Sequence, residues 1–198
     1  MAASSSSTVD ELQPQYQVFI SFRRVGLRDG FVNHLVNALV NHKINYFIDN
    51  SEVRGQPLED VVFKRIGTSR IALVILTSDY TESARRLQQL KKIKECVDEG
   101  KMVAIPIFYK LEPSTVRHMK GAFGDAFTNL EESDETKRKW KEALKSIPEL
   151  MGIIVHEESY ERSAVNEIVE GVQKVLQFTS VSNPRDAITR TNGDFFDR

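Results

Sequence analysis

The chain has 198 residues, 40% hydrophobic and 28% charged, a balance that suits one soluble domain with polar ends. Its 27 Lys and Arg meet 28 Asp and Glu, so a net charge of -1 gives no electrostatic reason to expect nucleic acid. No run of about 18 apolar residues occurs, so no membrane-spanning helix is expected.

In chain order, residues 1–15 ("MAASSSSTVDELQPQ") lack the basic and apolar regions of a secretory signal and read as a disordered Ser-rich leader. Four short runs rich in β-branched and aromatic residues follow: "YQVFISF" (16–22), "INYFID" (44–49), "RIALVILT" (70–77) and "MVAIPIFY" (102–109). The last two are almost continuously apolar, as strands covered on both faces are. Helix-length segments separate them. "FVNHLVNALVNHK" (31–43) repeats apolar residues at helical spacing, and "PLEDVVFKRI" opens on Pro57, a residue favoured in a first turn. A third helix ends at Gly100, a plausible C-cap. After Tyr109 come the helical "GAFGDAFTNL" and "ETKRKWKEALKSI", a strand "GIIVH", and a last helix "AVNEIVEGVQKVLQF". From Thr179 the pattern becomes polar and aperiodic, a tail or a truncated linker over 179–198. One domain is therefore expected over 16–178, with strands and helices alternating as parallel βαβ units of a doubly wound sheet.

Catalytic signatures are scarce. There is no GxxxxGK[ST] loop, no GxGxxG after a strand and no GxSxG elbow. The four histidines are scattered, and the single cysteine, Cys96, can build neither a thiolate metal site nor an internal disulfide, which fits a reducing compartment. The lone GxxG, "GAFG", suits helix packing. These residues alone point to an α/β domain with a ligand crevice at the carboxyl ends of its strands.

Within that frame several stretches, in the right order, resemble a TIR (Toll/interleukin-1 receptor) domain of the plant type. They are "YQVFISFRR", "YFIDNSEVRGQPL", "SRIALVILTSDYTES" and "IPIFYKLEPSTVRHMKGAFGDAF"; "KWKEALKSIPELMG" is most like TIR domains joined to phloem protein 2-like lectins. The resemblance implies a flavodoxin-like fold with a five-stranded parallel sheet. It also implies an intracellular signalling or adaptor role in plant defence through association with other TIR domains, in the cytoplasm or also the nucleus. The alternative it implies is an NAD glycohydrolase that breaks the nicotinamide–ribose bond; NAD is then the ligand or substrate, and neither metal nor nucleic acid is expected.

For NAD cleavage the family places a glutamate in the third helix, two residues after a leucine, in a pattern like "WCLDEL". Here the matching residues are "RRLQQL" and the glutamate position is Gln89. At about 100° per residue, Gln89 falls inside the apolar arc of Leu87, Leu90, Ile93 and Cys96, while Gln88 points away. An amide keeps the shape but cannot act as a base near neutral pH, and losing a positioned acid–base group typically costs about 10²–10⁴ in rate. Glu82 and Glu95 are the nearby carboxylates; Glu82 precedes the helix by two turns and Glu95 lies about 240° round from Gln89, so neither substitutes easily. The expectation is therefore a catalytically degenerate domain.

Other departures agree. Arg24 and Gly26 stand where the plant pattern "FRGxDxR" has Gly and Asp, and Arg85 and Arg86 replace its Trp and Cys, altering the rim of the pocket. Arg23 and Arg24 are candidates to meet a nucleotide phosphate, or are a solvated loop pair. Asp49, Arg54 and Gly55 belong to the segment resembling the BB loop, which in the family gates the pocket and joins neighbouring domains; an ordinary β–α connection is the alternative. Asn33–His34 sits where plant relatives have "SH", a pair used in back-to-back association, against the plainer reading of two solvated residues. Trp140 reads as a packing anchor, and the basic residues of the third helix as a solvated face. A receiver-like phosphate acceptor is disfavoured because no acidic cluster ends the first strand.

Overall fold

The structure, a computed structural model, describes residues 17–23, 27–49, 58–157 and 160–181. Five strands form one all-parallel sheet in the order β2-β1-β3-β4-β5: β1 (Val18–Ser21), β2 (Tyr46–Ile48), β3 (Ile71–Leu76), β4 (Val103–Tyr109) and β5 (Ile153–Val155). This is the flavodoxin-like doubly wound arrangement that the sequence implied, and all five strands lie inside the expected runs.

Strand alternation sorts the core into two layers. Phe19, Ala72, Val74, Leu76 and Phe108 face one side, with α2 (Leu58–Thr68), α3 (Ala84–Asp98), α5 (Gly121–Thr128) and α6 (Asp134–Ser146). Val18, Ile20, Ile71, Leu73, Ile75 and Ile107 face the other, with α1 (Asn33–Asn41) and α7 (Glu161–Val181). A short α4 (Pro113–His118) precedes α5 and was not legible as a separate element. Every residue of β3 is buried, which explains its unbroken hydrophobicity. Pro106 is tolerated within β4 because β5 pairs only from Ile107 onward.

The third helix shows how local signals fix an element that carries the site. Ser83 caps it, its side chain accepting the Arg86 backbone N–H at 3.4 Å. Leu87, Leu90, Ile93 and Cys96 are buried at helical spacing, each leucine contributing about 1.5–3 kcal/mol by leaving water. Gly100, at φ +68°, ends it in the left-handed conformation, with Lys101 N–H donating to the Cys96 carbonyl at 3.0 Å. The last helix, α7, continues to Val181, past the Phe178 end read from its apolar pattern.

Candidate functional site

Strand order reverses between β1 and β3, so their carboxyl ends open a crevice at the topological switch point. Ser21 ends β1, Asp49 follows β2, and Tyr80 opens a 3₁₀ turn (Tyr80–Glu82) after β3. The first turns of α3 bring Arg85, Arg86 and Gln89 against them.

These side chains form one buried network. Gln89 Nε2 donates to Asp49 Oδ2 at 2.7 Å. Its Oε1 accepts from Arg86 Nη1 at 2.8 Å and from Ser21 Oγ at 3.3 Å. Arg86 Nη1 also donates to Asp49 Oδ2 at 3.0 Å. Arg85 grips the same carboxylate with two bonds of 2.7 Å, Nε to Oδ2 and Nη2 to Oδ1. Behind them the Ser21 and Tyr80 hydroxyls lie 3.0 Å apart. Gln89 and Asp49 are each 1% exposed and Arg86 6%.

Burial governs the electrostatics. It pulls the Arg86 guanidinium down from its ordinary value, and the Asp49 carboxylate opposes that by favouring the charged form. Burial pushes the Tyr80 phenol up to about 12, so it is a neutral hydrogen-bonding group at physiological pH. The space lined by Val62, Phe63, Arg85, Gln88 and Gln89 is about 10 Å³, at the lower limit for a single water. Among the described residues, Asp49, Arg86 and Ser21 hydrogen-bond the Gln89 amide.

The wheel reading of Gln89 is matched by its burial, but the rim reading of its neighbours is corrected. Arg86 lies one turn before Gln89 on the same face and is buried rather than solvated, because Asp49 supplies its counter-charge. Arg85 is half-buried on the same carboxylate. The lysines of this helix are half-buried too, and they pair along its outer face: Lys91 and Lys92 with Glu95, Lys94 with Asp98. Gln88 points away from the crevice yet is half-buried, accepting the Trp140 indole N–H at 2.9 Å; Trp140 is the packing anchor expected.

Arg23 turns toward Asp79, donating to its carbonyl at 2.8 Å, and pairs with Glu82. Glu82 is therefore committed to Arg23 rather than to Gln89. Asn33 and His34 are exposed at the start of α1. Arg24, Arg54 and Gly55 lie outside the described residues. The parts not read from sequence are Ser21 and Tyr80 as network members. Their signal was a hydroxyl at the end of an otherwise apolar strand and an aromatic set in the polar run "TSDYTES".

Comparison with known proteins settles the family. A TIR domain model matches residues 15–192. The chain belongs to the TIR domain family. The TIR chain is 52% identical to disease resistance protein RPS4 of Arabidopsis thaliana over 98% of its own length and 16% of the relative's. It is 46% identical to protein PHLOEM PROTEIN 2-LIKE A8 of the same plant, covering 93% of this chain and 53% of that protein. Among solved structures it matches the TIR domains of the activated Roq1 resistosome recognising the pathogen effector XopQ. That match has a TM-score of 0.73 and 33% identity, and covers 79% of this chain and 99% of that one. The chain thus spans about one sixth of the resistance protein it resembles.

Proposed function

We propose that this TIR domain works in plant defence signalling as an association module with a catalytically degenerate crevice. The observation that carries the reading is Gln89: an amide stands at the family's glutamate position with both polar atoms committed, one to Asp49 and the other to Arg86 and Ser21. It can neither take a proton nor offer negative charge to a developing ribosyl cation.

The association half of the reading is supported by the surface of α1. Asn33, His34, Asn37, Val40 and Asn41 are exposed there, Val40 at 55%. That face carries no acidic, Lys or Arg side chain, in contrast to the ion-paired surfaces of α3 and α6. A surface without strong hydration is the kind a second TIR domain can cover at low desolvation cost. The relatives support the setting: one is a disease resistance protein, another the TIR domains of a resistosome.

Incubating the purified chain at high concentration with NAD and following nicotinamide release tests the catalytic half. Turnover comparable with a glutamate-bearing TIR domain would sink it. Co-sedimentation with the TIR domain of a resistance protein, compared between wild type and the double variant Asn33→Ala/His34→Ala, tests the association half. No co-sedimentation of the wild type would refute it.

A further inference from the structure

Asp49 is the buried carboxylate best placed to hold a cation in this crevice, and its oxygens are already taken by protein. Oδ2 accepts from Arg85 Nε, Arg86 Nη1 and Gln89 Nε2, and Oδ1 from Arg85 Nη2. Arg86 enters through one nitrogen alone: Nη1 sits 3.0 Å from Asp49 Oδ2 and 2.8 Å from Gln89 Oε1. Its Nε and Nη2 make no hydrogen bond to a described side chain or carbonyl. A guanidinium held by its fork would set two of its nitrogens on one carboxylate, as Arg85 does through Nε and Nη2. Arg86 is instead a planar cation lodged between two converging acceptors, a carboxylate oxygen and an amide oxygen, with Ser21 Oγ behind the amide.

We propose that Asp49 and Gln89 form a cation subsite that Arg86 occupies from within, an autoinhibitory contact built into α3. The subsite suits a small planar cation that donates N–H bonds to both acceptors, such as a guanidinium. While Arg86 is seated, such a group meets a like charge, and the position between Asp49 Oδ2 and Gln89 Oε1 is already taken by Nη1. The inference rests on the reading of the crevice as degenerate and deepens it: silence is written at position 86 as well as at position 89, and a glutamate restored at 89 alone would still face the lodged guanidinium.

Emptying the subsite and supplying its occupant in solution provides the test. Arg86→Ala, and Arg86→Cys as a second variant with the residue type of the family pattern, are titrated with methylguanidinium chloride. Sodium chloride at equal ionic strength is the control, and the melting temperature is the readout. At ten times the probe's dissociation constant a gain of about 3–6 °C over the salt control is expected. Wild type gains nothing, because its subsite is filled, and Asp49→Asn/Arg86→Ala gains nothing, because the acceptor charge is gone. If either single variant is unfolded alone, the probe restores its folding transition. Overturning results are a gain equal in wild type, a gain that survives loss of the Asp49 charge, or no response in both single variants. Nicotinamide release by wild type would refute the degenerate reading yet leave this binding result standing.

Discussion

Removing the Asp49 carboxylate probes the network most sharply. In Asp49→Ala, Arg86, 6% exposed, keeps its charge but loses its counter-ion, while Gln89 Nε2 loses its acceptor. Stranding a buried charge by deleting its partner costs about 3–5 kcal/mol. For a domain of this size each kcal/mol moves Tm by roughly 2–4 °C, so a fall of about 6–20 °C is expected. The internal control is Arg23→Ala, which breaks a pair whose members are 24% and 49% exposed and should cost no more than about 1 kcal/mol. Differential scanning calorimetry gives both shifts directly. The double variant Asp49→Ala/Arg86→Met, which removes the stranded charge along with its partner, should recover more than half of the Asp49→Ala loss. If Asp49→Ala falls no further than Arg23→Ala, Arg86 finds water easily and the closed network described here is wrong.

Three further outcomes follow from the same packing. Tyr80 is pushed up to about 12 from 10.0, so its contribution is complete below pH 10 and is lost as pH rises toward 12; the full loss is about 3 kcal/mol. Tyr80→Phe should flatten the alkaline stability profile while costing about 1 kcal/mol at neutral pH for the lost Ser21 bond; parallel alkaline decline in variant and wild type would refute the assignment. Gln89→Glu places a second carboxyl where Nε2 now lies 2.7 Å from Asp49 Oδ2, raising the pair's affinity for a proton. Its Tm deficit against wild type should therefore be smallest near pH 4.5 and widen toward pH 8, and a pH-independent deficit would contradict the contact. Gly124→Ala should destabilise by about 1–3 kcal/mol, since a Cβ there would meet the Met119 carbonyl oxygen at 1.9 Å; an unchanged urea midpoint would show that α4 and α5 can separate freely.

The sheet was legible because its signals are local and mutually consistent. The apolar run 70–77 contains β3, all of it buried, and of the two GAFG glycines Gly124 packs on the Met119 backbone while nothing lies within 4 Å of a Cβ at Gly121. Helical angle alone also placed Gln89 among hydrocarbon. The site was harder to read because its decisive contacts join residues far apart in sequence. Arg86 bonds Asp49 across 37 residues, Gln89 bonds Asp49 across 40 and Ser21 across 68. Periodicity does place Arg86 within a turn of Gln89 on the same face, but a charge on a buried face is normally a sign of misreading. Only the knowledge that a carboxylate ends β2 at that depth turns it into a pair. Short α4 escaped for a different reason, since six residues give too few turns for a period to show.

Taken together, positions 85, 86 and 89 behave as one replacement. A lone glutamine at 89 would leave Asp49 as an unneutralised buried carboxylate beside it, an arrangement that burial penalises by several kcal/mol. Two arginines resolve that cost, one lodged inside and one clamping from the edge. Conversely, Arg86 without Asp49 would be a stranded cation, and Arg86 with a glutamate at 89 would sit between two carboxylates competing for a single nitrogen. The buried Asp49 carboxylate is therefore neutralised by the fold's own arginines. The network lies at the strand ends beside α3, while the exposed α1 face, without Asp, Glu, Lys or Arg, lies on the opposite side of the sheet.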